Sequence, residues 1–99
     1  MMNQTQLAAW TKNLLASHSV DFTDEEGDVN SYPVGGDYAE LAADVFSVDD
    51  CTLTVYKDGN VLGGIGFANE YCDKEQGAVT DAYNFHMGVE HLVKEFSKA

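Results

Sequence analysis

The stretch CTLTVYKDGNVLGGIGF, residues 51–67, decides the fold of this 99-residue chain. Its first half, from Cys51 to Tyr56, is rich in the β-branched and aromatic residues that favour strands. A second run extends from Val61 to about Phe67, and Asp58-Gly59 between the two runs is a strong two-residue turn signal. We therefore predict a β-hairpin over residues 51–67.

The two-residue turn also predicts how the two strands of the hairpin pair. It places Val55 opposite Leu62, and Leu53 opposite Gly64. The centre of the second strand is nearly bare, because three glycines stand close together there: Gly63, Gly64 and Gly66. We expect a helix or another backbone to approach this bare strand closely.

Periodic apolar residues predict a helix on each side of the hairpin. The first helix spans about residues 4–18, with Asn3 or Thr5 as its N-cap and with Trp10 as a core anchor on its apolar stripe. The second and longest helix spans residues 73–97. Its apolar face is lined by Val79, Ala82, Val89, Val93 and Phe96.

The segment between the first helix and the hairpin is predicted to be irregular at first and helical later. Residues 19–36 contain an acidic loop and a proline turn, with room for one short strand near 29–34, and Asp37–Phe46 reads as a short amphipathic helix. An isolated hairpin is marginal in water, so the helices must cover it. The pattern predicts an α+β fold in a single domain, residues 1–99: a small antiparallel sheet of two to four strands packed against the N- and C-terminal helices, plus a short acidic helix.

Negative charge is the outlier in the composition. The chain has 17 acidic residues, five lysines and no arginine, which gives a formal net charge of −12. Residues 21–50 contain ten of the acids and no lysine, whereas the rest of the chain holds seven acids and five lysines and nets −2. A solubilising surface usually mixes the two signs, so this one-sided placement indicates an interaction face.

A loop and a helix within this region supply the candidate binding residues. On the predicted short helix, Asp37, Glu40 and Asp44 follow at i, i+3 and i+7 and lie within an arc of roughly 60°. Carboxylates held a few ångströms apart can stand in for the phosphates of DNA, which carries one charge per about 1.7 Å of helix axis. The predicted partner-binding residues are Asp24, Glu25, Glu26, Asp28, Asp37, Glu40, Asp44, Asp49 and Asp50.

Metal and catalytic patterns are incomplete in this sequence. An EF-hand counted from Asp24 would place Val29 where glycine is needed and Gly35 where glutamate is needed. His86, which we expect in the core, and His91, which we expect on the surface, are five residues apart rather than the four that suit zinc. We predict no metal, no cofactor and no catalytic residues, with weak Ca²⁺ binding by the acidic loop as the open alternative.

The expected compartment and partner follow from the same composition. The chain has no run of 18 apolar residues, and its first residues lack the basic and apolar regions of a secretory signal. We expect a cytoplasmic protein in which Cys51 and Cys72 are reduced. Strong negative charge repels nucleic acid and anionic membranes, so the expected partner is a basic protein surface.

In charge, length and architecture the chain resembles the small acidic counter-defence proteins of phages and mobile elements, which include anti-CRISPR proteins and anti-restriction DNA mimics. The resemblance implies a viral inhibitor in the host cytoplasm, which occupies a basic cleft of a CRISPR effector, a restriction enzyme or a nuclease. The alternative is an assembly subunit, such as a homodimer, that binds through exposed apolar residues such as Tyr38, Phe67 and Tyr71. Its acidity would then serve solubility or salt adaptation.

Overall fold

The computed structural model describes residues 2–71 and 78–98. These residues contain three helices and five strands. In chain order they are α1 (Gln4–Leu15), β1 (Ser19–Thr23), β2 (Val29–Tyr32), α2 (Tyr38–Phe46), β3 (Asp50–Lys57), β4 (Asn60–Tyr71), β5 (Ala78–Met87) and α3 (Glu90–Lys98). The predicted α+β class is confirmed, but the sheet has five strands instead of two to four. None of the described helices is both long enough and apolar enough to cross a membrane.

The five strands form one antiparallel sheet in the order β2-β1-β3-β4-β5. The β1–β2 and β3–β4 hairpins lie side by side because β1 pairs with β3, where Val20 lies opposite Val55. β2 and β5 are therefore the two edges of the sheet, and Met2 forms an isolated bridge with Thr80 of β5. Of the ten acids in residues 21–50, nine fall in β1, α2 and the connecting segments, and Asp50 is the first residue of β3.

The predicted hairpin is confirmed over residues 51–67, but its predicted pairing is wrong by one residue. Asp58 and Gly59 both have positive φ, 53° and 79°, as a type I′ turn requires. An irregularity between Val55 and Tyr56 then leaves Leu62 as an extra residue, so Val55 pairs with Gly63 and Leu53 with Ile65. A one-residue slip exchanges the faces of a strand. The bulge therefore puts Ile65 on the buried face together with Leu53.

The predicted long helix over residues 73–97 is wrong for its first half. Residues 78–87 form β5, and the helix α3 begins only at Glu90; residues 73–77 lie outside the described part of the chain. The apolar spacing in this segment fits a helix locally, yet β4 needs a partner along its free edge. The glycines of β4 provide for that partner, since a Cβ on Gly66 would lie 3.1 Å from the carbonyl oxygen of Tyr83 in β5. The expected close backbone approach to the bare strand is confirmed there.

The segment expected to be irregular, residues 19–36, contains two strands. β1 was not anticipated, although Val20 and Phe22 are buried and alternate with half-buried polar residues. β2 lies inside the predicted interval 29–34. The short length of β1 and its central Asp21 weaken the local signal, so pairing with β3 stabilises a strand that propensity alone does not favour.

The core lies on one face of the sheet and is centred on three aromatic rings. Trp10 of α1, Phe67 of β4 and Phe96 of α3 have ring centroids 5.1 to 5.6 Å apart. The Trp10 indole N–H also donates to the carbonyl oxygen of Leu92 at 2.8 Å. Trp10 is thus a core anchor as predicted, whereas Phe67 is only 1% exposed and the expectation that it belongs to an exposed apolar surface is wrong.

The helix α2 packs on the same face as α1 and α3. Leu41, Ala42 and Val45 are buried, and the side-chain amide of Asn69 in β4 donates to the carbonyl oxygens of Val45 and Val48. All three described helices therefore cover one face of the sheet. The opposite face carries the alternate residues of the strands and has no described helix over it.

Candidate partner-binding surface

The β1–β2 loop is folded around the carboxylate of Asp24. One oxygen of that carboxylate accepts the backbone N–H groups of Glu26 and Asp28, each at 2.9 Å. The Asp24 N–H donates to the Asp28 carbonyl oxygen at 3.0 Å, and Gly27 supplies the positive φ of 90° that closes the turn. Asp24 therefore fixes the loop, while the side chains of Glu26 and Asp28 extend into solvent.

Glu25 joins this loop to the connection between α2 and β3. Its carboxylate accepts the backbone N–H of Asp49 at 2.9 Å and that of Asp50 at 3.1 Å. A groove of about 330 Å³ opens between the two segments and is lined by Asp24, Glu25, Glu26, Ser47, Val48 and Asp49. Glu25 thereby holds acidic residues from two distant parts of the sequence at one end of the sheet.

The N-terminus of α2 uses one predicted binding residue as its cap. The Asp37 carboxylate accepts the backbone N–H of Glu40 at 3.1 Å, which satisfies a free donor of the first turn. The Glu40 side chain is exposed, and a carboxylate in the first turn is favoured by the helix dipole. The predicted helix is confirmed, with Asp37 as its cap.

Asp44, the third predicted residue of the helix, is half-buried and bonded to the edge strand β2. Its carboxylate accepts a short hydrogen bond from the Tyr32 hydroxyl and a longer one, at 3.3 Å, from the side-chain amide of Asn30. Burial and then the hydrogen bond to Asp44 raise the pKa of Tyr32 well above its usual value. Asp44 thus anchors α2 to the sheet in addition to carrying charge.

Asp50 begins β3 on the face that the helices leave uncovered. Its carboxylate accepts the hydroxyl of Tyr83 from β5 at 3.2 Å. The neighbouring Asp49 is exposed and offers its backbone N–H, rather than its carboxylate, to the bond with Glu25. The end of the acidic region therefore reaches toward β5 through Asp50.

The structure divides the nine predicted residues into two groups. Five carboxylates accept hydrogen bonds that organise the fold: Asp24, Glu25, Asp37, Asp44 and Asp50. Within residues 2–71 and 78–98, the other four accept none and are exposed: Glu26, Asp28, Glu40 and Asp49. The second group is the one free to meet a partner without disturbing the fold, and binding by either group stays a prediction.

Metal and thiol chemistry receive no support from the described residues. Across residues 2–71 and 78–98, no three side chains of His, Cys, Asp or Glu converge on a point that could hold a metal ion. Cys51 is buried, and burial followed by the charges of nearby acids raises its pKa to about 12. His91 is exposed, as expected. Cys72 and the side chain of His86 lie outside what the structure describes.

Three residues of the uncovered face were missed by the sequence reasoning. Asp21 accepts the hydroxyl of Tyr56 at 3.0 Å and the hydroxyl of Ser31 at 2.7 Å. Tyr56 and Tyr83 each make a hydrogen bond to an aspartate on a neighbouring or next-nearest strand. The alternation of polar and apolar residues in β3 was the available signal, since Thr52, Thr54 and Tyr56 share one face.

Comparison with known proteins gives no relative from which a role could be transferred. No model of a protein family matches the chain, and no curated protein or solved structure resembles it significantly.

Proposed function

We propose that this protein is a non-catalytic inhibitor that presents exposed carboxylates, carried on an ordered backbone, in place of nucleic-acid phosphates. It would occupy a basic cleft of a host nucleic-acid-handling complex, such as a CRISPR effector, a restriction enzyme or a nuclease. The observation that carries the proposal is the Glu25 bridge, because it brings the acidic residues of the β1–β2 loop next to those of the α2–β3 connection. The exposed acids Glu26, Asp28 and Asp49 belong to the two segments that the bridge joins, and Glu40 lies in the first turn of α2.

Keeping these like charges in one region of the fold costs free energy. Ten acids without a single lysine repel one another, and self-repulsion destabilises a compact state. This fold nevertheless concentrates the acids in one region and orders their loop with internal hydrogen bonds. A destabilising arrangement of this kind favours a role in binding. The backbone that carries the exposed carboxylates is ordered by these hydrogen bonds, so it loses less conformational entropy on binding than a disordered acidic tail would.

A cleft lined by lysine and arginine is the partner that fits such a surface. Most of the affinity of such a cleft for nucleic acid comes from sequence-independent attraction to phosphates. Carboxylates spaced along α2 and its flanking loop can use the same attraction. Competition with nucleic acid for the cleft would then inhibit the complex without any chemical reaction.

The test is capture of partners from a lysate of the cells in which the gene is expressed. The double variant Glu26→Gln/Glu40→Gln removes two exposed charges, and Ala9→Lys/Asn13→Lys changes the net charge equally on the exposed side of α1. We expect the wild type and the α1 variant to retain a nucleic-acid-binding protein that excess DNA or RNA releases, and the first variant to retain much less. The proposal would be wrong if both variants retained the same amount of the captured protein. It would also be wrong if neither excess DNA nor excess RNA released that protein from the wild type.

A further inference from the structure

The sheet face opposite the helices is a second surface with its own composition. Residues Thr23, Thr52, Gly66 and Tyr83 form one row across β1, β3, β4 and β5. The uncovered sheet face is lined by side chains that include Asp21, Ser31, Thr52, Thr54, Tyr56 and Tyr83. Of the five lysines, three belong to helices and Lys57 lies at the end of β3, so no described cation stands within this face.

The Tyr83 side chain extends from β5 over the neighbouring strand β4. A Cβ on Gly66 would be 3.3 and 3.4 Å from two ring atoms of Tyr83, so the hydroxyl end of the ring lies against the bare backbone of β4. The hydroxyl then reaches Asp50 in β3 at 3.2 Å. Tyr83 remains 43% exposed, so much of the side chain is open to solvent beside the Asp50 carboxylate.

A second tyrosine and aspartate pair occupies the other half of the same face. The Tyr56 hydroxyl in β3 donates to Asp21 in β1 at 3.0 Å, and Ser31 of β2 holds the second oxygen of that carboxylate. Tyr56 is four residues along β3 from Thr52, and β3 is two strands from β5. Tyr56 and Tyr83 are therefore roughly 16 Å apart between their Cα atoms, given about 3.3 Å per residue and 4.8 Å per strand.

We propose that the uncovered sheet face binds arginine side chains of a basic protein, with one guanidinium stacked on Tyr83 beside Asp50 and a second beside Tyr56 and Asp21. A guanidinium is planar, stacks on aromatic rings and pairs with carboxylates in a fixed fork, which an ammonium group does not do. The occupant follows from charge complementarity, because this face has aspartates and no described cation. A second copy of the chain is disfavoured, since each copy carries −12.

This inference deepens the proposed function, because it assumes the same basic partner and assigns it a second contact surface. The two can fail separately. The proposed function depends on Glu26 and Glu40 beside α2 and the β1–β2 loop, whereas the inference depends on Tyr83 and Thr52 on the sheet. If only the variants of Glu26 and Glu40 weaken binding, the partner uses the surface beside α2 and the β1–β2 loop. If only the variants of Tyr83 and Thr52 weaken binding, it uses the sheet face.

The first experiment titrates the protein with a deca-arginine peptide and, separately, with a deca-lysine peptide of equal charge. Amide NMR shifts should move in β3 and β4 with deca-arginine, and Tyr83→Leu should weaken its binding about two- to fivefold, the range for an exposed cation–π contact. Tyr38→Leu is the matched control, because Tyr38 is similarly exposed, at 37%, but lies on the helix side. Equal effects of the two variants, or equal binding of the two peptides, would overturn the inference.

The second experiment adds positive charge at the centre of the face. Thr52→Lys should weaken deca-arginine binding more than Thr5→Lys, which makes the same change at an exposed position of α1. The same effect from both variants would mean that only net charge matters and would refute the proposal. Sedimentation of the wild type and of Thr52→Lys completes the test. A wild-type dimer that Thr52→Lys converts to a monomer would show that the face binds a second copy of the chain, and this would overturn the proposal.

Discussion

The backbone N–H of Asp49 donates to the carboxylate of Glu25 across 24 residues of sequence, at 2.9 Å. The same carboxylate accepts the N–H of Asp50, so one acidic side chain satisfies the start of β3 and fixes the β1–β2 loop beside it. A residue that counts in the sequence as one more surface charge is therefore also a structural link. This double role of carboxylates is what distinguishes the acidic region from a merely solvated surface.

Replacing Glu25 tests that link. Glu25→Ala leaves two backbone donors without their acceptor, and we expect the free energy of unfolding to fall by about 1 kcal/mol, since the site is exposed to water. The matched control is Glu26→Ala, which removes the same charge from the next residue but breaks no side-chain hydrogen bond among the described residues. Urea unfolding measures both variants. Equal stability of the two proteins would contradict a structural role for Glu25.

Tyr32 and Asp44 connect α2 to the edge strand β2. Tyr32→Phe removes the hydroxyl donor and leaves the half-buried Asp44 carboxylate with one fewer partner, so we expect a loss of about 1 to 2 kcal/mol in unfolding free energy. Tyr38→Phe is the control, because the Tyr38 hydroxyl makes no hydrogen bond with the described residues. Thermal unfolding of the two variants should differ by several degrees, and matching midpoints would refute the anchoring role.

Gly66 is required where the Tyr83 ring crosses β4. A methyl group there would meet the Tyr83 carbonyl oxygen at 3.1 Å and the ring at 3.3 Å, so Gly66→Ala should cost about 1 to 3 kcal/mol of stability. In a Tyr83→Ala background the ring contact is absent, and the same substitution should cost clearly less. A double-mutant cycle by urea unfolding measures the difference. An unchanged cost would mean that the ring does not lie over Gly66.

The buried thiol of Cys51 predicts a pH dependence of stability. Its pKa is raised from 9.0 to about 12 in the folded protein, chiefly by burial, so between these values the unfolded chain has lost a proton that the folded chain retains. The contribution of this thiol to the free energy of unfolding is therefore fully present below pH 9. It is lost as pH rises toward 12, by up to about 1.4 kcal/mol per pH unit for one group. In reductant, the free energy of unfolding of the wild type should fall more steeply between pH 9 and pH 11 than that of Cys51→Ala, by up to about 1.4 kcal/mol per pH unit. Parallel curves for the two proteins would contradict the account.

Local signals were sufficient for the centre of the fold. The Asp58-Gly59 turn needs only its own two residues to adopt positive φ, so the β3–β4 hairpin is predictable from the sequence. The register of the hairpin was not predictable from local signals. The bulge at Leu62 depends on burial, because it places Ile65 on the core face of the sheet. β5 was missed for a related reason: its apolar spacing also fits a helix, and only pairing with the distant edge of β4 decides between the two.

The candidate surface was predictable in composition but not in detail. The concentration of acids in residues 21–50 is visible in the sequence. The division between structural and free carboxylates is not, because Glu25 finds its donors 24 and 25 residues away and Asp50 meets Tyr83 over 33 residues. Such partners become neighbours only through the order of the strands.

The most direct test of phosphate mimicry is the salt dependence of binding to the nucleic-acid-binding protein that the wild type captures. Affinity carried by carboxylates facing lysine and arginine should fall steeply with ionic strength, because salt screens exposed charges and restores counterions to the cleft. We expect the dissociation constant to rise at least about tenfold between 50 and 200 mM salt. The rise should be smaller for Glu26→Gln/Glu40→Gln. A dissociation constant that stays constant over this range would contradict the central claim.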